Sequence, residues 1–302
     1  MARPSSFAKP ERQAGKIMKA LQSPKFAGKE YVKSVGTVRN YEQALTAVAD
    51  NLQRETGEAL RDLTPERAAQ YLEQRGLEVK QTTLNMERQA MQKMMHLVTH
   101  RLPHNQALPV VKSEHKQVLK SRSYTAAQVQ VVADHQIARN ALATEVAHAA
   151  GLRAHELITI QPIAEREPSP REAHQGKFQG REGVSYTVVG KGGLVREIRL
   201  PHALSERLEA HRLPEPEKVT DRGVHYRQHY AIGGGKNWSQ SFSAASTRGL
   251  GRSNGAHGVR HSFAQERMKE LGKAGYDRQT SLQITSQEMG HFRPSITEVY
   301  LR

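Results

Sequence analysis

The chain has 302 residues and carries 45 Lys plus Arg against 30 Asp plus Glu, a formal charge of +15; its length exceeds one ordinary compact core, so two domains are expected. A field of that sign attracts polyanions, nucleic acid first among them. The lack of cysteine excludes disulfides, thiol nucleophiles and Cys-ligated zinc and fits a reducing cytoplasm, and no apolar run is long enough to cross a bilayer.

In chain order, Met1 to Gly28 is basic, contains Pro4, Pro10 and Pro24, and has no hydrophobic stretch of the secretory kind; it is expected to be a flexible arm. Residues 29–104 have helical spacing and are expected to form a helical domain. Thr37 can cap a first helix carrying Tyr41, Leu45 and Val48, and Thr64-Pro65 opens a second, because proline's missing N–H costs nothing in a first turn. Leu84, Met91, Met94, Met95 and Val98 mark a third helix, with methionine as core filler. Residues 105–123, with Pro109 and a cluster of Lys, His and Ser, suggest an interdomain linker, leaving 124–302 as the second domain.

That second domain opens with a helix after Thr125 and another from Arg139 to Ala150, which Gly151 can terminate. Residues 162–183 are polar and rich in Pro, Glu, Arg and Gly, the composition of an exposed insertion. From Ser185 to Leu200, Tyr186, Val188 and Val189, a Gly190-Lys191-Gly192-Gly193 turn, and Val195, Ile198 and Leu200 predict a β-hairpin. A glycine-rich loop at 233–235 precedes helical periodicity that resumes at Asn237 and lasts to the end. The fold class is mainly α with a small β-hairpin or sheet in the second domain.

Four stretches suit phosphate chemistry. Arg153, just past a helix end, can present a planar fork of donors to two phosphate oxygens, and Glu156 can brace neighbouring donors. Lys191 places a mobile ammonium at a hairpin tip. His257 and Arg260 lie three residues apart, within reach of one phosphate on one helix face. His291 is followed nine residues later by Tyr300, an oxygen nucleophile beside groups able to neutralise a pentacoordinate phosphorus.

In this order Arg153, Lys191, His257-x-x-Arg260, Gly290-His291 and Tyr300 resemble the catalytic signature of the tyrosine recombinases, the phage-integrase family. The motifs span Gly151 to Tyr300, and the helical 29–104 region is similar in kind to that family's SAM-like core-binding domain. The resemblance implies a two-domain DNA clamp in which Arg153, His257, Arg260 and His291 bind the scissile phosphate, Lys191 is the general acid and Tyr300 the nucleophile, with Glu156 in support and His261 a packing residue. It further implies a 3′-phosphotyrosyl link, a free 5′ hydroxyl and strand exchange through a Holliday junction by a homotetramer on double-stranded DNA at specific recombination sites. No metal, ATP or other cofactor is then needed. Integration or excision of a mobile element in the cytoplasm would be the setting, with the part of accessory DNA-bending proteins left open. Met289 departs from the family's usual leucine. The chain stops two residues after Tyr300, where many relatives carry a further helix, which leads to the expectation that Tyr300 acts in cis.

Alternatives within reach of the same residues are a type IB topoisomerase and a non-catalytic DNA-binding accessory protein. A metal-dependent nuclease could use the His-x-x-x-His pairs His100/His104, His225/His229 and His257/His261. The first pair straddles Pro103, none carries the glutamate of the zinc-protease pattern, and no carboxylate cluster accompanies them.

Overall fold

The chain divides into two units, Met1–Val118 and Leu119–Arg302, and the computed structural model describes residues 8–23, 32, 34–115, 120–291 and 293–302. The first unit is helical: α1 (Pro10–Leu21), α2 (Val35–Glu55), α3 (Pro65–Gly76) and α4 (Gln81–Met94), which runs into a π-helical turn at Met95–Thr99. Apolar residues recurring at three- and four-residue steps put Leu45, Val48 and Leu52 of α2 and Leu84, Met91 and Met94 of α4 into one core. α3 begins as its sequence predicts, with the Thr64 hydroxyl accepting the Arg67 N–H ahead of Pro65. α2 starts earlier than Thr37, after Ser34. Buried Glu87 accepts from the Tyr71 hydroxyl at 3.1 Å and from Arg75 Nε at 3.3 Å, so its charge is paired inside the unit.

Two expectations from composition fail here. Residues 10–21 are not part of a flexible arm: Ala14, Ile17, Met18 and Leu21 form one helix face buried in the core beside α2. Apolar spacing outweighs the basic, proline-containing composition. The rest of the expected arm, 1–7 and 24–28, lies outside the described residues. The expected linker also starts too early. Leu108 is buried, Gln81 Nε2 donates to the Val111 carbonyl at 3.0 Å and the Ser113 N–H donates to Gln81 Oε1 at 2.8 Å, so residues 105–115 are held by α4. Residues 116–119 lie outside the described residues.

In the second unit, α5 (Ala126–Asp134) opens with a capping box in which Thr125 and Gln128 satisfy each other's backbone N–H groups. α6 (Ala138–Ala150) follows. A three-stranded antiparallel sheet has the order β1 (Gln161–Pro162), β2 (Val184–Val189), β3 (Val195–Leu200), its hairpin lying where the sequence puts it. Tyr186, Val188, Ile198 and Leu200 share a core with Leu142 and Val146 of α6. After α7 (His202–Glu209) comes a ribbon that the sequence reading did not anticipate, β4 (Arg212–Asp221) and β5 (Val224–Tyr230). Pro214, Pro216 and many charges disguise β4, yet proline is tolerated on an edge strand. The remaining elements are α8 (Gly235–Leu250), α9 (Gly258–Lys273), α10 (Arg278–Glu288), the short α11 (Pro294–Thr297) and a 3-10 turn at Glu298–Leu301.

Residues 162–183 are largely exposed, as their composition predicts, but they are anchored rather than loose. Phe178 is buried and its N–H donates to Glu288 Oε1 at 2.8 Å, the His174 N–H donates to Gln287 Oε1 at 2.8 Å, and Arg166 donates to the Thr159 and Thr187 carbonyls. These polar residues are satisfied by partners far away in sequence, which composition does not reveal. The glycine-rich loop is closely packed, since a Cβ on Gly233 or Gly234 would collide with Asn140 or Ile158.

The docking of α1 has a measurable consequence. Ile17→Ala removes most of a fully buried side chain and should cost the first unit about 2–5 kcal/mol, read by far-ultraviolet circular dichroism in urea. A protein as stable as wild type would show that α1 does not contribute to the core.

Candidate active site

α6 ends at Gly151, whose φ of 58° suits glycine, and a Cβ there would lie 2.7 Å from the Phe263 ring. The Gly151 carbonyl accepts from Arg260 Nη1 and, at 3.4 Å, from Arg196 Nη2. Two residues further on, Arg153 enters the turn that carries Glu156. Glu156 is fully buried: Oε1 accepts from Arg153 Nη1 at 2.6 Å, and Oε2 accepts from the Arg153 N–H and from Arg196 Nη2, each at 2.8 Å. Arg260 Nη1 stands 3.7 Å from the same oxygen. Burial alone would raise the Glu156 pKa, but Arg196, Arg260 and Arg153 outweigh it and hold the carboxyl well below the usual carboxylate range.

Arg260 lies in the first turn of α9 and is fully buried; Nη2 donates to the Met289 carbonyl at 3.1 Å and to His291 Nε2 at 3.1 Å, while Nε has no partner. Burial draws its pKa down to about 10, so it remains charged at neutral pH. His291 follows Gly290, whose φ is 72° and whose Cβ would stand 2.6 Å from Arg196 Cδ. Accepting from Arg260 leaves the ring proton on Nδ1, which donates to Thr297 Oγ1 at 2.7 Å; Thr297 in turn accepts from Ser286 Oγ at 2.7 Å. Burial first, then the charges of Arg260, Arg153 and Arg196, push His291 down to about 3.

Tyr300, nearly buried in the last turn, has its ring centroid 4.8 Å from that of His261, 5.3 Å from His291 and 5.4 Å from His257, with the Arg260 guanidinium 5.5 Å from its centre. Gln265 Nε2 holds the Tyr300 carbonyl at 3.2 Å. His261 is buried, with Nδ1 unpartnered, and burial followed by the Arg122 and Arg260 charges moves it down to about 4. His257, the residue before α9, is exposed. Partial burial and then the Arg260 charge push its pKa down to about 4.

Arg153, Glu156, His257, Arg260, His291 and Tyr300 therefore come together. Lys191 stands apart, exposed on the hairpin turn and without a hydrogen bond or ion pair among the described residues. Its neighbour Gly190 is close to the cluster: a Cβ there would lie 3.3 Å from Glu156 Oε1 and 3.9 Å from Arg153 Nη1. Sequence reasoning missed Arg196, which is 5% exposed and bonds Glu156 and the carbonyls of Gly151 and Glu288. The signal was present in β3, where two-residue alternation puts Arg196 on the inward face with Ile198 and Leu200.

This arrangement sets a pH dependence. His261 and His291 are neutral in the fold but protonate near 6.5 when unfolded, so below that pH the unfolded chain binds more protons and stability falls. Glu156 adds a loss of the same sign below about 4.5. Stability should be highest above pH 6.5 and decline from there to about pH 3. His291→Gln should remove up to about 1.4 kcal/mol per pH unit from that slope, read by thermal melts between pH 6.5 and 4; an unchanged slope would contradict the assignment.

The family model described as "Phage integrase, N-terminal SAM-like domain" matches residues 29–101. No curated protein matches the chain closely enough in sequence to count as a relative. Among solved structures, the XerH site-specific recombinase bound to palindromic difH substrate in a post-cleavage complex matches with a TM-score of 0.57 and 14% identity over 97% of this chain and 93% of that one. A lambda integrase tetramer bound to a Holliday junction matches at 0.59 and 16%, over 98% of this chain and 78% of that one. The Tn1549 transposon integrase in complex with transposon right end DNA matches at 0.55 and 13%, over 98% and 95%. At such identities the likeness establishes the fold: this chain has the mainly helical fold of the tyrosine recombinases, and its first unit contains a phage-integrase N-terminal SAM-like domain.

Proposed function

We propose that the protein is a site-specific DNA recombinase that cuts and rejoins DNA through Tyr300. The observation that carries this reading is the seat of the Tyr300 ring, packed against His257, His261 and His291 with the Arg260 guanidinium over it. The Tyr300 oxygen would attack the phosphorus and the bond to the 5′ oxygen would break, leaving a 3′-phosphotyrosyl link and a 5′ hydroxyl. Arg153 and Arg260 would hold the non-bridging oxygens as charge builds on them. Neutral His257 would accept the phenolic proton and Lys191, exposed on its hairpin turn, would give one to the departing oxygen. The phosphodiester energy stays in the protein–DNA link, so religation needs no ATP. Double-stranded DNA carrying a specific site, a homotetramer and a Holliday junction would complete the reaction, in the service of integrating or excising a mobile element.

Tyr300→Phe should abolish the covalent adduct on nicked suicide duplexes while changing DNA affinity by no more than a few fold, since one oxygen is lost. Adduct that survives would remove Tyr300 from the role. Lys191→Ala should be defective on ordinary DNA and recover on a duplex with sulfur at the 5′-bridging position, because a thiolate leaves without a general acid. Failure to recover would move the acid role elsewhere. A relaxation assay on plasmid lacking any site separates this reading from a type IB topoisomerase, which would relax it.

Packing of Tyr300 against histidines of its own chain supports cleavage in cis. A mixture of Arg153→Ala and Tyr300→Phe proteins, each inactive alone, should give no more adduct than the two measured separately. Excess adduct in the mixture would mean that the tyrosine is donated in trans.

A further inference from the structure

The β4–β5 ribbon ends beside the candidate active site. Its two-residue turn is Arg222-Gly223, with φ of 51° and 81°. Both positive values are those of a tight hairpin turn, which favours Asn or Gly where Arg222 stands. Arg222 is one of three non-glycine residues with positive φ among the described residues. An arginine held in a conformation that suits it poorly calls for a compensating use.

Its surroundings indicate which. A cavity of about 260 Å³ is lined by Arg222, Arg153, His155, His257, Ser239 and Trp238 with small apolar neighbours, and no carboxylate lines it. The ribbon is fixed there by two contacts. The Tyr226 ring stacks near His155, with centroids 6.5 Å apart, and Asp221 Oδ1 accepts the Lys236 N–H at 2.8 Å at the start of α8. Asp221, the acidic group facing His155 from the ribbon, is thereby engaged with backbone. Arg222 itself is exposed and makes no hydrogen bond or ion pair among the described residues. Arg153 and His257 belong both to this cavity and to the cluster around Glu156.

We infer that the cavity is a second phosphate site, in which Arg222 and His155 grip the DNA backbone phosphate next to the one that Arg153 and Arg260 hold. This rests on the recombinase reading and adds to it the ribbon as the element that fixes the strand's register at the cut. A phosphodiester fits because the lining offers a forked cation, imidazoles and a hydroxyl, all able to donate, around a space bounded by Trp238 and Leu152.

The test compares wild type, Arg222→Asn and Arg222→Lys on a fluorescent mixed-sequence duplex of about 40 base pairs, by anisotropy across a range of salt concentrations, with Tyr300-dependent adduct measured in the same proteins. Asparagine tolerates the positive φ, so it removes the charge and keeps the turn. Arg222→Asn should bind about fivefold more weakly, with a log–log salt slope shallower by about 0.9, and Arg222→Lys should recover most of both. Wild-type affinity and slope in Arg222→Asn, with wild-type adduct intact, would overturn the inference and leave the recombinase reading standing. Binding as weak in Arg222→Lys as in Arg222→Asn would overturn a phosphate as the ligand. A wild-type protein that neither binds duplex nor forms adduct would take down both.

Discussion

One buried carboxylate organises the second unit. Glu156 is the shared partner of Arg153, Arg196 and Arg260, and a single negative charge facing three guanidiniums leaves the interior of the site positive. Burying ions is expensive, and the cost is met only when geometry and further hydrogen bonds are good. Here the carbonyls of Gly151, Met289 and Glu288 supply those bonds. The glycine turns at 151 and 290 are part of the same solution, since each brings backbone within reach of an arginine where a side chain would collide.

The surplus positive charge shapes the histidines around it. His291 stays neutral because it is buried among arginines, and its tautomer is fixed from both sides, by Arg260 at Nε2 and Thr297 at Nδ1. Neutral imidazoles in a cationic site are an unusual pairing, useful where an anion must be bound and a proton accepted in one place. The order of the elements serves this arrangement: the turn after α6 delivers Arg153, β3 delivers Arg196, α9 delivers Arg260, and the segment after α10 delivers His291 and Tyr300.

Much of this cluster is legible in the sequence because its members sit in short ordered motifs. Arg153, His257, Arg260, His291 and Tyr300 each stand in such a motif, and the hairpin and the Thr64 and Thr125 caps follow from local rules. What escaped depends on long-range partners or on competing local signals. α1 was hidden because its proline and lysines outweighed an apolar face of only four residues. Arg196 was hidden because a charged residue in a strand reads as outward until its buried acid is known. The β4–β5 ribbon was hidden by two prolines on an edge strand, and residues 162–183 by polar side chains whose partners lie on α10 and β2. Lys191 shows the reverse: plain in the sequence, it stands exposed on the hairpin turn, apart from the cluster.

Trp238 is the chain's single tryptophan. It is buried in the second unit, where its Nε1 donates to Thr144 Oγ1 at 3.0 Å. Tryptophan emission from this protein therefore has one origin, on the wall of the cavity that Arg153 and Arg222 share. The first unit is dark in that channel although it contributes fully to the helical signal, so the two units carry separate optical signatures, and the order in which they melt can be followed in the intact chain without a label.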